Sequence, residues 1–517
     1  MNRRELMKFF GIGGAMALGG NSAFAQSAAA DRLSVALAVN LPSLDPHFTT
    51  AVVTRQIGCH IYETLLTYNA DYNLAPMLAE TWSTSEDGLT TSVTLRPGLR
   101  FHDGSPVTAM DAVASLERWR GLSTVGKSAF ADVTAITAVD ERSLTITATA
   151  ASSALLEALA SPTQAAAIMP AAVARAAGKN EITSFIGTGP YRLQSWQKDQ
   201  YVTLERFADY VALEAPPSGL GGRKEALIAE IRFDFVTNAP SRIAGLQSGE
   251  YDFVDDVPPD NFKTIAAIPG ITTYIGKPSR QNIMFFNCGR GVFSNPAIRK
   301  AANKALDLDS IMLASAARPD FYRIDPGLMF REQTLWHSDA GAELMNLKDP
   351  EGAKADLKAA GYAGQPVVIL TSREYQYLYR ASLVIQQQLM MIGMNVKLEV
   401  YDWPTLLEKR RNASAWDIFF TFAGIYAHPT QITFVDSRKG YPGGYANAEV
   451  DARLDRLAAT VDRAAAAALF HEVQALYRAD VPTVKLGDMF ALAASGQQVK
   501  GFDFFFDLHF WNVSLSR

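Results

Sequence analysis

Residues Leu95 to Trp119 read LRPGLRFHDGSPVTAMDAVASLERW. Arg96-Pro97-Gly98 and His102-Asp103-Gly104 are turn sequences, and Phe101 between them is placed to fill a core. Thr108, with Asp111 three residues on, marks a helix start, because the two side chains can satisfy amides that the first helical turn leaves free. Met110, Val113, Leu116 and Trp119 follow at helical spacing, so one face of that helix should be buried.

The pattern continues on both sides. Thr90 to Leu95 alternates with period two and stops at Pro97-Gly98, and Val133 to Val139 with Leu144 to Thr149 reads as a hairpin. Leu33 to Val39 is an apolar strand ended by Pro42 and Asp45-Pro46, and Ile231 to Val236 is a buried strand before a helix ending near Gly249. Asn295-Pro296 and Asp349-Pro350 each start a helix, while Gly361 and Gly393 each close one. Strands alternating with helices predict an α/β chain with mainly parallel sheets. The Gly/Pro-rich joints at 215–222 and 270–279 are short, so two lobes sharing crossing strands fit better than separate beads. The aromatic segment GFDFFFDLHFW, residues 501–511, should pack back as strand or core, since an exposed patch of that size invites aggregation.

With 517 residues, 48% of them hydrophobic and 20% charged, the chain has material for two or three core-bearing units. A formal charge of -5 offers no electrostatic attraction to nucleic acid or anionic lipid. Two cysteines cannot build a disulfide framework or a four-thiolate metal site. Residues 1–25 combine a basic start, an apolar stretch from Phe9 to Gly20 and the small-residue pattern Ala23-Phe24-Ala25, which is an export signal. Arg3-Arg4 resembles the twin-arginine type. Cleavage after Ala25 would remove Arg3, Arg4, Lys8 and Glu5 and leave a charge of -7. No cysteine near that cut is available for a lipid anchor, so a free periplasmic monomer is expected.

Catalytic patterns are weak. Residues 121–128, GLSTVGKS, satisfy the phosphate-loop pattern in letters, but a helix precedes them where a strand is required; a capped helix end and a solvated loop are expected. There is no GxSxG or HExxH. The seven histidines are scattered without a metal-binding pair, so no metal site or cofactor is expected. Cys59 and Cys288 read as buried free thiols. Asp255-Asp256 reads as a turn.

Six segments carry a longer likeness. Leu78-Ala79-Glu80-Thr81-Trp82 with the block ending at Trp119, GTGPYRLQSW from Gly187, RIAGLQSGEYDF from Arg242, MFFNCGRGVFSNPAIRKAANKALD from Met284, DPEGAKADLKAAGY from Asp349 and IQQQLMMIGMNVKLEVYDW from Ile385 together resemble family 5 extracellular solute-binding proteins. These are the peptide/nickel-type binding components of ABC importers. The resemblance implies an α/β, two-lobed periplasmic binding protein of type II, in the large class with a subdomain inserted in lobe one. By analogy lobe one would comprise residues 31–62, 187–272 and 489–517, the insert 63–186, and lobe two 273–488. It implies binding of a small solute in the interlobe cleft and delivery to a permease, not an enzymatic reaction.

In peptide-binding members of the family an aspartate after the strand matching Trp416 to Phe422 holds the peptide's amino terminus. Here IFFTFAGIYAHPTQITFV, residues 418–435, has no acidic residue, and an ammonium buried there would lack its counter-charge. Ordinary peptides are therefore disfavoured. The loop offers Phe422, Tyr426 and His428, and Trp403 matches an aromatic position that faces the cleft in the family. Arg373, or Arg380, lies near where dipeptide binders place a carboxylate-binding arginine. The expected solute is a small organic molecule with an anionic group clamped by Arg373 and a flat body on Trp403 and Tyr426. The alternative is nickel or a metal chelate at His428, as in nickel-type relatives.

Overall fold

The computed structural model describes residues 31–516; the expected export signal lies outside the described residues. A large sheet runs through both lobes. From one edge its strands are Asn395–Tyr401, Pro366–Ser372, Ile418–Ala423, Ile271–Phe286, Thr483–Gly496, Phe253–Val254, Arg32–Leu37, Glu230–Phe235, Tyr201–Arg206 and Tyr191–Gln197, with Tyr322–Arg323 paired to Thr483–Gly496 off this path. The two long central strands cover 16 and 14 residues, about 50 Å at roughly 3.3 Å per residue. One end of this pair adjoins Phe253–Val254 and the other Ile418–Ala423, so the same two strands belong to both lobes. Their register breaks between Gly276 and Arg280, midway along Ile271–Phe286.

The expectation of mainly parallel sheets does not hold. Among the described residues the large sheet has four parallel and six antiparallel pairings. The long crossing strands run antiparallel to each other, and Tyr191–Gln197 and Tyr201–Arg206 form a hairpin; neither arrangement has a helical crossover. A separate four-stranded antiparallel sheet, ordered Ala79–Thr84, Thr90–Leu95, Ser143–Ala148, Val133–Ala138, carries the helix Ala109–Leu122. Leu116 and Trp119 of that helix are fully buried with Phe101, while Met110, expected on the same face, is exposed.

The stretch from Leu95 to Trp119 ties this smaller sheet to its surroundings. The Thr108 amide donates to Asp111 Oδ2 at 2.8 Å, while Asp111 Oδ1 accepts from the Ala171 amide at 2.8 Å. Arg96 Nε donates to the Met77 carbonyl at 2.6 Å. His102 Nδ1 accepts from the Gly187 amide at 3.2 Å and its Nε2 lies 3.0 Å from the Gly189 carbonyl. Two blocks remote in sequence are thus locked together by one imidazole. Gly187 and Gly189 are there for close approach: a Cβ on Gly189 would collide with the His60 carbonyl, and one on Gly187 with that of Ile61. Gly189→Ala should therefore destabilise the protein by about 1–3 kcal/mol, read as a lower urea midpoint at unchanged slope.

The phosphate-loop lookalike is helical. Ala109–Leu122 continues through Gly121, and Ser123 then caps a second helix, Thr124–Ala129, its hydroxyl accepting from the Gly126 amide at 3.1 Å. The expected solvated loop is absent because Gly126 packs directly on Trp119. Residues 501–511 pack as irregular core, not strand, with Phe502, Phe505, Phe510 and Trp511 all buried. Cys59 and Cys288 are free thiols, and burial pushes them up to about 12 and about 11. Among the described residues no helix is long and apolar enough to cross a membrane.

Candidate ligand cleft

Where the crossing strands lose register, the lobes face each other across a cleft of about 1180 Å³, lined by Gly276 to Arg280 among others. It exceeds the roughly 300–1,000 Å³ usual for small-molecule sites, leaving room for a solute with water. Its floor is charged. The helix Val52–Ile61 contributes Arg55 and Gln56, the turn after Phe253–Val254 contributes Asp255 and Asp256, and the C-terminal aromatic segment contributes Asp507.

These groups are held in place by a chain of hydrogen bonds. Arg55 pairs with Asp507 at 2.6 Å. Gln56 Nε2 donates to Asp507 Oδ1 at 2.8 Å and to Asp255 Oδ2 at 3.1 Å. Beneath them Arg242, 2% exposed, donates to the carbonyls of Val236, Thr237, Asp255 and Asp256 at 2.7–3.2 Å. It braces the backbone of both aspartates, of which Asp256 adopts left-handed φ (46°). Burial, and then the charges of Asp256 and Asp507, push Asp255 up to about 7.

Arg280 enters the cleft from the crossing strand. Its guanidinium lies 5.2 Å from the Tyr377 ring centroid and 5.9 Å from that of Phe422, and Nη1 donates to Tyr377 Oη at 3.3 Å. Tyr377, Asp256 and Asp255 hold it above the usual arginine value against the opposing effect of burial, which is the largest single influence.

The far wall comes from the loop after Ile418–Ala423, with Tyr426 and Pro429 to Thr433 lining it. The segment 151–158 and the helix Ala448–Ala459 also contribute to the lining and touch each other beside it. The Ser153 amide donates to the Ala458 carbonyl at 2.9 Å, and Arg463 pairs at 2.6 Å with Glu157, which also accepts from Tyr68 Oη at 2.8 Å. Burial raises the Glu157 carboxyl despite Arg463 beside it.

The residues singled out from sequence are scattered around this cleft. Phe422 and Tyr426 line it. Trp403 stands behind Phe422 at a centroid separation of 6.2 Å and 4.7 Å from Tyr375, outside the lining. Arg373 is exposed and lies over Tyr379, and Arg380 pairs with Asp260 at 3.3 Å; neither lines the cleft. His428 is fully buried against the edge of Trp336, its Nδ1 facing the Thr430 amide at 3.3 Å and its Nε2 without a hydrogen-bond partner among the described residues, and burial lowers it to about 3. Among the described residues no group of three or more His, Cys, Asp or Glu could hold a metal ion. Sequence reasoning missed Arg280, and it read Asp255-Asp256 as a turn without placing the pair in the cleft. The available signal was the polar run Arg280-Gln281-Asn282 opening an otherwise apolar strand directly after a Gly/Pro joint.

Comparison with known proteins agrees with this architecture. The profile of the bacterial extracellular solute-binding proteins, family 5 (middle), matches residues 73–440. The chain is 28% identical to a probable peptide ABC transporter periplasmic-binding protein of Sinorhizobium fredii, over 97% of either chain. It is 25% identical to a glutathione-binding protein of Pectobacterium atrosepticum over 90% of either chain. In fold it is similar to the ABC transporter substrate-binding protein CtaP of Listeria monocytogenes, with a TM-score of 0.83 and 20% identity over 94% of this chain and 99% of that one. The chain belongs to family 5 of the bacterial extracellular solute-binding proteins, the solute-capturing components of ABC importers, and is a binding protein rather than an enzyme.

Proposed function

We propose that this protein captures a small peptide-like solute between its lobes and delivers it to a membrane permease. The observation that carries the reading is the cleft of about 1180 Å³ at the register break of the crossing strands, with the contacts Ser153 to Ala458 and Glu157 to Arg463 beside it. Lobes joined by two strands can hinge there, and closure buries the solute and forms one composite face for the permease. The lobes are proposed at residues 31–62, 187–272 and 489–517 for the first, with the insert 63–186, and 273–488 for the second. Phe422 and Tyr426 are the proposed apolar contacts, with Trp403 supporting Phe422. Arg280, in place of Arg373, is the proposed anion clamp.

We propose that the protein acts in the periplasm as a monomer, exported on the twin-arginine signal of residues 1–25. The peptide and glutathione binders among its relatives support a peptide-like solute. The nickel or chelate reading rested on His428, which does not line the cleft, and it has no other observation in its favour.

A retained solute should show as stability. Protein isolated from its own periplasm should melt several degrees above the same protein stripped by unfolding, dialysis and refolding, because a ligand that binds only the folded state stabilises it by mass action. Identical melting of the two preparations, and no gain on returning the periplasmic small-molecule extract, would count against the proposal.

A further inference from the structure

We infer that a second binding site, apart from the interlobe cleft, lies beyond the end of the crossing strands and takes a small aromatic carboxylate at Arg410. It stands independently of the cleft and of the solute held there.

A cavity of about 300 Å³ lies where the two crossing strands end, walled by Phe285 and Thr483 from those strands, by Arg410 and Arg411 after the helix Trp403–Lys409, and by the loop from Phe434 to Tyr445. Of this lining only Asp436 also lines the cleft, so the two cavities share one wall and are otherwise separate. The loop is fixed in place. The Gly443 carbonyl accepts from the amides of Cys288 and Gly289 at 2.7 and 3.1 Å, and Tyr445 Oη donates to Asp480 Oδ2 at 2.9 Å. Gly440 and Gly444 hold φ of 63° and 62°, a conformation that a side chain would strain.

Arg410 is the group in this cavity that lacks an acceptor. Its guanidinium stands 5.7 Å from the ring centroids of both Phe419 and Tyr441, and Trp416 Nε1 donates to its carbonyl at 2.9 Å, so the residue is held at both ends. The Tyr441 hydroxyl lies beside it. Among the described residues Arg410 forms no ion pair, and its Nε is buried without a hydrogen-bond partner. A buried donor left unmade is costly, and a planar carboxylate relieves it because two oxygens match the guanidinium fork. The carboxylate already in the lining, Asp436, is engaged by Arg438 at 2.8 and 3.1 Å. Much of the remaining surface is aromatic, with Phe434 5.8 Å from Tyr441 and Tyr445 5.1 Å from Tyr477 between ring centroids, which suits a flat apolar body. Rings alone would also suit an organic cation, but Arg410 and the exposed Arg411 repel one. The volume is at the lower end of the roughly 300–1,000 Å³ of small-molecule sites, which fits an acid of one or two rings.

The test is ligand-observed NMR titration and calorimetry on the full-length mature protein stripped of solute. The probes are benzoate and 2-naphthoate, with benzyl alcohol, benzylamine and acetate as controls. At least one of the two acids should bind with a Kd of about 1 mM or tighter, and each control at least about tenfold more weakly. Arg410→Met should weaken the acid by about tenfold or more and leave benzyl alcohol unchanged, a pattern that general destabilisation does not produce. Arg280→Gln, in the cleft, should leave binding of the acid unchanged. Benzyl alcohol or benzylamine binding as tightly as the acids, no binding of either acid, or full affinity retained in Arg410→Met would overturn the inference. So would loss of the acid from Arg280→Gln, which would put it in the cleft. Should Arg410→Met fail to fold, crystals of the unaltered protein with 4-bromobenzoate decide by anomalous scattering: bromine in the cavity beside Arg410 supports the site, and bromine elsewhere, or none, overturns it.

Discussion

Replacing Arg118 by methionine should cost about 3–5 kcal/mol, enough to consume much of the stability of a typical domain. The Arg118 and Asp45 side chains are 2% and 0% exposed, and they meet through two hydrogen bonds at 2.5 and 3.1 Å. Asp45 also accepts from the amides of His47 and Ile182, while Arg118 donates to the Asn180 carbonyl at 2.6 Å. The pair clamps the segment before the helix Val52–Ile61 to the helix Ala109–Leu122. Removing the guanidinium leaves a carboxylate in a dry site with no cation. The loss should appear as a lower urea midpoint at unchanged slope, and Asp45→Asn combined with Arg118→Met should recover part of it by removing the stranded charge. A loss below about 1 kcal/mol would show that water reaches Asp45 when Arg118 is gone.

Acid should be the second large effect. His47, His102 and His509 are held down to about 4, and His60 and His428 to about 3, in each case first of all by burial. Their hydrogen bonds suit the neutral ring: His47 has Nε2 at 3.0 Å from the Ala167 carbonyl and Nδ1 facing Arg118, so a second ring proton would point at a guanidinium. His60 Nε2 likewise accepts from the Phe510 amide at 2.9 Å. Because the folded values lie below the unfolded value of 6.5, the unfolded chain takes up protons first as pH falls. Each imidazole then removes up to about 1.4 kcal/mol per pH unit between about 6.5 and its folded value. Five such groups should unfold the protein before pH 4. Asp255 works in the opposite direction, since its value is raised to about 7 and its contribution is present at low pH and lost as pH rises through 7. Glu157 and Asp417, also raised by burial, act in the same sense as Asp255, and the five imidazoles outnumber these carboxyls. Urea midpoints from pH 7.5 to 4.5 should fall steeply, and His102→Asn should lower the slope by about one proton; a flat profile would contradict burial of neutral imidazoles.

Much of the fold was legible because its determinants are local. Thr108 with Asp111, Asn295-Pro296 and Gly249 act within one helical turn, and each stands where its spacing predicted. Strand direction was not legible, because antiparallel pairing of Ile271–Phe286 with Thr483–Gly496 joins segments about 200 residues apart and leaves no local mark. The same distinction governs the site. Phe422 and Tyr426 were found from one loop. The floor was not, because Gln56, Asp255, Arg280 and Asp507 come from four separate segments, and their charges acquire meaning only when one knows that Arg55 pairs with Asp507 and that, among the described residues, Arg280 forms no ion pair and bonds only to Tyr377 Oη. The missing acid of residues 418–435 looked like a lost amine site when read along the chain. In three dimensions Asp255 and Asp256 line the same cleft as that loop.

The central claim is that a small solute is enclosed between the lobes. Native mass spectrometry of protein purified without denaturation from its own periplasm tests it most directly. The expected result is a mass above that of the denatured chain by one small organic molecule, lost on collisional activation and lost from Arg280→Gln prepared in the same way. A native mass equal to the denatured mass, unchanged after incubation with the periplasmic small-molecule extract, would contradict it.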